Sequence, residues 1–264
     1  MNFDSYSVLK FERQGGILNV TINNPEKRNA LGGPGELEIS RFFYEVTTDE
    51  ETRVIVLTGA GDKAFSAGGD VNHIKHVIDH PDVFYSFITN AKRIVQNILE
   101  CPKPIIAKVN GVASGLGATI ALMSDVVFAA EHAKFSDPHV KLGFTAGDGG
   151  AVIWPYLIGG LAKHYLMTGD AIAAPDAERL GMILKSVPAA ELDGIVSEYA
   201  ERLATGPRRA IETSKMAVNI ALKQMAAAMM DASITFEALT NHSGDHKEAT
   251  AAFLEKRAPK FNGD

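Results

Sequence analysis

The sequence predicts an α/β fold, and three observations carry the prediction. First, Val54–Thr58 (VIVLT), Ile105–Val109 (IIAKV) and Val126–Ala130 (VVFAA) are almost continuously apolar. Strands covered on both faces of a parallel sheet read this way. Second, segments with helical periodicity alternate with these runs, which is the order of a layered α/β core. Third, the pattern beyond about residue 150 is almost wholly helical. We therefore expect a core over residues 1–200 and a helical region over 201–264.

Taken in order, Val8–Phe11 and Ile17–Ile22 are short apolar runs, and Gln14-Gly15-Gly16 between them signals a hairpin. Glu36–Val46 spaces Leu37, Ile39, Phe42, Phe43 and Val46 as one helical face, with Pro34 suited to the first turn. The VIVLT strand ends at Gly59-Ala60-Gly61. Val83–Leu99 places Phe84, Phe87, Ile88, Ile94, Val95 and Ile98 on one side of a helix that Pro102 and Pro104 stop. After Ile105–Val109 come a glycine-rich turn and an apolar helix to Met123. The later helices are expected at Ala151–Ile158, Leu161–Thr168, Pro175–Leu180, Glu191–Thr205, Arg208–Asn241 with a break, and Lys247–Lys256. Pro207 suits a helix start.

The 264 residues carry 26 Lys+Arg against 32 Asp+Glu, a net charge of −6. This balance argues against nucleic acid or an anionic membrane as the main partner. At 46% hydrophobic and 22% charged, the composition is that of an ordinary globular chain. A single cysteine, Cys101, excludes an internal disulfide framework and fits a reducing compartment. The most apolar stretch, Pro104–Met123, is interrupted by Lys108, Asn110 and glycines, and the N-terminus lacks a secretory pattern. The expectation is a soluble, cytoplasmic protein.

Three segments could carry chemistry. Phe65-Ser66-Ala67-Gly68-Gly69-Asp70 follows the VIVLT strand, and its adjacent glycines let backbone N–H groups approach a ligand. Asn110–Gly117 puts Gly115 near a helix N-terminus, where free N–H groups and the helix dipole can stabilise a developing oxyanion. One oxyanion hole needs two donors, and each loop can supply one. The bland alternatives are an ordinary turn and a glycine-mediated helix–strand contact. The third segment holds Asp137-Pro138-His139 and, nine residues after the histidine, Asp148. His139 and Asp148 suit a hydrogen-bonded acid–base pair. The bland alternative makes His139 a structural histidine and Asp148 the cap of the following helix. His73, His76 and His80 have a spacing that metals use, but a polar, solvated helix face is the preferred reading of them. Neither a dinucleotide fingerprint nor a P-loop is present.

These motifs together resemble the crotonase superfamily, the enoyl-CoA hydratase/isomerase family. The matching blocks are Asn23–Leu31 (NNPEKRNAL), Phe65–Asp70 (FSAGGD), Lys103–Gly117, Ser124–Pro138, Leu166–Asp170 and Phe253–Phe261, in family order along nearly the whole chain. The resemblance implies a crotonase-like ββα spiral core with a C-terminal helical trimerisation region. It implies a homotrimer or dimer of trimers, and an acyl-CoA substrate of the kind met in fatty-acid metabolism. By the same resemblance, Gly69 and Gly115 supply the oxyanion-hole N–H groups. Arg28, Ala30, Ala67 and Gly68 lie in the CoA contact region, with Phe253 and Lys256 near the nucleotide end. Coenzyme A enters as part of the substrate, and no metal or redox cofactor is required.

The departures matter as much as the matches. Where hydratases of the family carry two catalytic glutamates, this chain has Thr119 and His139. His139 and Asp148 therefore become the expected catalytic pair, with Thr119 shaping the pocket. A similar His and Asp, nine apart, together with the pattern Gly147-Asp148-Gly149…Trp154-Pro155, occur in the family's β-diketone hydrolases. Three readings stand: thioester chemistry through an enolate, hydrolytic C–C cleavage of a β-diketone, and acyl-CoA binding without catalysis.

Overall fold

The computed structural model describes residues 1–264, except for the side chains of Pro81, Tyr85 and Phe87. The expected place of Phe87 falls outside the described residues. The chain opens with an antiparallel hairpin, β1 (Leu9–Gln14) and β2 (Ile17–Ile22). It continues through α1 (Gly32–Glu45), β3 (Val54–Gly59), β4 (Ala64–Ser66), α2 (Val71–Asp79) and α3 (Phe84–Glu100). Next come β5 (Ile105–Val109), β6 (Val112–Ser114), α4 (Leu116–Met123), β7 (Val126–Ala130), β8 (Lys134–Ser136) and α5 (Gly150–Ile158). The remainder is α6 (Ala162–Thr168), β9 (Ala171–Ala173), α7 (Ala174–Arg179), β10 (Lys185–Val187), α8 (Ala189–Ala204), α9 (Arg208–Asn241) and α10 (Gly244–Leu254).

The strands form two sheets, and from β3 to β8 successive strands alternate between them. The larger has the order β1-β2-β3-β5-β7-β10, and the smaller has the order β4-β6-β8-β9. From β3 to β8 the chain thus lays one strand on each sheet per turn, which is the ββα spiral expected. Apart from the two antiparallel pairs β1–β2 and β8–β9, the strands run parallel. The VIVLT strand is buried along nearly its whole length, as its composition requires. β1 alternates instead, because it is an edge strand with one face outside.

The core closes on both faces of the larger sheet. On one side, Phe42 and Phe43 of α1 and Ile94 and Ile98 of α3 pack on Leu18, Val20, Ile55 and Leu57. Each such side chain contributes roughly 1.5–3 kcal/mol on burial. On the other side, Leu192, Val196 and Ala200 of α8 cover Val54, Val56, Ile106 and Phe128. All eight residues of α4 are buried, which explains why it is apolar all round. Pro207 caps α9, and this helix runs unbroken for 34 residues, so the expected break is absent. The stretch read as almost wholly helical also returns β9 to the smaller sheet and β10 to the larger one.

Candidate active site

The NNPEKRNAL and FSAGGD blocks become one surface because their backbones are zipped together. Ala67 N–H donates to Arg28 O at 3.0 Å, and Leu31 N–H donates to Gly68 O at 2.8 Å. Asn29 is fully buried and bonds Ala60 O and Ala64 O, which holds its own loop in place. The FSAGGD loop in turn lies against the start of α4. A Cβ on Gly68 would sit 2.5 Å from Ser114 O and 3.3 Å from Leu116 N, so only glycine permits this approach.

The donors follow from counting bonds. Gly68 N–H is spent on Ser66 Oγ at 3.2 Å. Gly69 N–H, next along, has no acceptor among the described residues, and Gly69 lines the cavity below it. On the other loop, Gly115 N–H extends the β6–β8 ladder and donates to Ser136 O at 2.9 Å. This corrects the expectation for Gly115, because strand register consumes its hydrogen. The next N–H, that of Leu116, opens α4 and has no acceptor, as the first residue of a helix must. Gly69 and Leu116 are therefore the two donors available to an oxyanion.

Both line a cavity of about 790 Å³ that also reaches Glu36, His139 and Asp148. This size accommodates a small-molecule acyl group. His139 is buried between two carboxylates: Nδ1 bonds Asp137, and Nε2 lies 3.5 Å from Asp148 Oδ2. Burial works against its charge, but the Asp137 and Asp148 charges outweigh it and hold the imidazolium well above the usual histidine range. Both ring nitrogens of His139 are thus occupied by carboxylate partners, which suits an orienting group better than a free base. Among the described residues Asp148 Oδ1 and Asp137 Oδ2 both lack a hydrogen-bond partner, and of the two aspartates Asp148 is the one that lines the cavity.

The glycine run around Asp148 explains its placement. A Cβ on Gly150 would fall 1.9 Å from Asp137 Oδ2. Asp137 is therefore tucked against the first turn of α5, where the helix dipole favours its charge. The N-cap of α5 is Gly149, with no side-chain cap, so Asp148 is released from the capping role. The three donor groups of Asp137, His139 and Asp148 lie within 4.8 Å of one another, a spacing metals also use. The ring nitrogens, however, face different carboxylates, which is the geometry of a proton relay. Among the described residues, His73, His76 and His80 form no such converging group; the His76 and His80 rings pack 4.2 Å apart, centroid to centroid.

Two further acids sit here that sequence reasoning missed. Glu36 of α1 lines the cavity, is 1% exposed, and has no partner for either carboxyl oxygen. Burial, with the Asp148 charge adding, pushes its pKa up to about 8. Glu237 of α9 is buried behind Gly147. Burial and then Asp148 drive it well above the carboxylate range.

The cavity also meets Arg28, Ala30, Ala67, Lys27, Phe253 and Arg257. Lys27 pairs with Asp70 at 2.6 Å. Three expectations shift. Gly68 supports the wall without lining it. Thr119 is fully buried off the cavity, its methyl packed where a Cβ on Gly149 would stand. Lys256 is exposed and does not line the cavity, whereas Arg257, one residue on, does. Cys101 is buried, and burial raises its thiol pKa, as a structural role requires.

The model of the enoyl-CoA hydratase/isomerase family matches residues 12–264. The chain belongs to the enoyl-CoA hydratase/isomerase family. Family relatives include 1,2-epoxyphenylacetyl-CoA isomerase of Escherichia coli, 33% identical over 94% of this chain and 95% of that one. Among solved structures, an enoyl-CoA hydratase/isomerase from Mycobacterium paratuberculosis superposes with a TM-score of 0.90. It is 31% identical, over 94% of this chain and 99% of that one. A β-diketone hydrolase from the cyanobacterium Anabaena superposes with a TM-score of 0.85 at 28% identity, over 91% of this chain and 96% of that one. Among the described residues, no helix of this family member is long and apolar enough to cross a membrane.

Proposed function

We propose that this enzyme acts on an acyl-CoA thioester through an enolate. The observation that carries the reading is the cavity itself. Two unspent N–H groups, of Gly69 and Leu116, share it with a carboxylate that has one oxygen free. A thioester carbonyl held by two N–H donors becomes a stabilised oxyanion when a base removes the α-proton. Asp148 is that base, and His139, bound to Asp137 behind it, fixes its orientation. Lys27, Arg28 and Arg257 supply positive charge for the CoA phosphates in a chain that is acidic overall. The steps are proton transfers, so protein carboxyls suffice for them.

Calorimetric titration with a panel of acyl-CoA esters, with crotonyl-CoA absorbance followed in parallel, tests the reading. Binding with turnover is expected, and no binding by any ester would overturn it. The Asp137–His139–Asp148 relay also favours a second reading, in which the trio activates water for C–C cleavage of a β-diketone. That reading predicts turnover of a cyclic β-diketone without CoA, lost in His139→Ala. We further propose a cytoplasmic homotrimer or dimer of trimers. Val218, Ile220, Phe236 and Leu239 of α9 are exposed apolar side chains suited to a subunit contact. Sedimentation at a mass three or six times 28.3 kDa is the expected result.

A further inference from the structure

A carbon–carbon double bond shifts along an acyl chain only if one proton leaves and another arrives at a different carbon. Asp148 accounts for the first. A Cβ on Gly115 would lie 3.5 Å from the His139 ring, His139 Nε2 lies 3.5 Å from Asp148 Oδ2, and Asp148 shares the cavity with the Gly69 and Leu116 donors, which assigns it the proton next to the thioester carbonyl. The second transfer needs an acid elsewhere along the same cavity. Glu36 comes from a different element, α1, lines the cavity, and has both oxygens buried without a partner. A buried carboxyl without a hydrogen-bond partner is costly and is rarely kept without a use.

We propose that Glu36 is the proton donor of a double-bond isomerisation, delivering its proton to the γ-carbon of a β,γ-unsaturated acyl thioester after Asp148 has taken the α-proton. This rests on the thioester reading above. Asp148 Oδ1 takes the α-proton, and the C–H electron pair moves into a dienolate whose oxygen is held by Gly69 and Leu116 N–H. As the carbonyl re-forms, the double bond appears between the α- and β-carbons, and the γ-carbon takes the Glu36 proton. Substrate and product are isomers. Asp148 ends protonated and Glu36 ionised, and solvent exchange restores both.

The electrostatics support this order. The groups bearing on Glu36 are Asp148 and, behind it, Glu237, with His73 of α2 against nearby Gly33. While Asp148 is negative, it helps Glu36 keep its proton. Once Asp148 is protonated, that repulsion is gone and Glu36 releases its proton more readily. The first transfer thereby prepares the second.

The test uses 3-hexenoyl-CoA for isomerisation and butyryl-CoA for deuterium exchange at the α-carbon, with the wild type, Glu36→Gln and Glu36→Asp. Glutamine has the shape of the neutral acid, so unchanged thermal unfolding near pH 5 serves as the folding control. The wild type is expected to isomerise, with kcat falling above about pH 8 as Glu36 ionises. Glu36→Gln should lose about 10²–10⁴-fold in kcat with little change in KM, while α-exchange on butyryl-CoA continues. Glu36→Asp should recover part of the loss. A Glu36→Gln enzyme that isomerises at the wild-type rate, or a wild-type kcat flat through pH 8–10, would overturn the role of Glu36. A wild type that exchanges the α-proton but isomerises no 3-enoyl ester overturns the isomerisation and leaves the enolate reading intact. A wild type that neither binds nor exchanges any thioester removes both.

Discussion

Replacing Glu36 by Gln should make the protein more stable at alkaline pH, and by an amount the structure allows to be worked out. The folded-state pKa of Glu36 is raised from 4.5 to about 8 by burial and by the Asp148 charge. A carboxyl whose folded pKa is raised binds its proton more tightly when folded. Its favourable contribution is therefore complete below the unfolded pKa and is lost progressively as pH rises towards the folded value. One pKa unit corresponds to about 1.4 kcal/mol, so the window from 4.5 to 8 spans about 5 kcal/mol at most. That is a large share of the stability of an ordinary domain, about 5–15 kcal/mol. Glutamine cannot ionise and leaves this slope out. Urea unfolding followed by circular dichroism, at matched protein concentration, should show the two proteins alike near pH 5. The variant should then lead by several kcal/mol near pH 8.5. Parallel curves across this range, or a variant weaker throughout, would refute the argument that Glu36 is buried and protonated.

Other expectations follow from the same geometry. Leu116→Pro removes one oxyanion donor at the first helical position, where proline is tolerated. It should lower kcat by about 10²–10³-fold while acyl-CoA binding persists, as kinetics and calorimetry together would show. Asp148→Asn should abolish turnover and keep binding, since it removes the carboxylate base without removing side-chain volume. Arg28→Ala should raise KM for CoA esters and weaken its salt dependence, with kcat nearly unchanged, as steady-state kinetics at two ionic strengths would read.

The long elements were legible because their patterns repeat. β5 and β7 lie where their apolar runs put them, and the helices fall within a few residues of their periodic segments. The three-residue strands β4, β6, β8, β9 and β10 are too short for any period to register. Pairing in the folded chain defines them. The same limit explains the shift from Gly115 to Leu116. Sequence shows a glycine loop opening a helix, but only strand register shows which N–H the ladder consumes. His139 and Asp148 were visible as a pair, whereas the place of Asp137 depends on the gap left by Gly150. Glu36 and Glu237 were invisible because a glutamate on an amphipathic helix reads as solvated. Their burial is a property of how α1 and α9 meet the cavity.

The central claim is that this pocket makes an enolate from an acyl thioester, and proton exchange measures that step alone. Butyryl-CoA incubated with the enzyme in deuterium oxide and followed by NMR should lose its α-proton signal. Exchange should vanish with Asp148→Asn and fall about 10²–10³-fold with Leu116→Pro. Bound butyryl-CoA that keeps its α-protons in the wild-type enzyme would contradict the account.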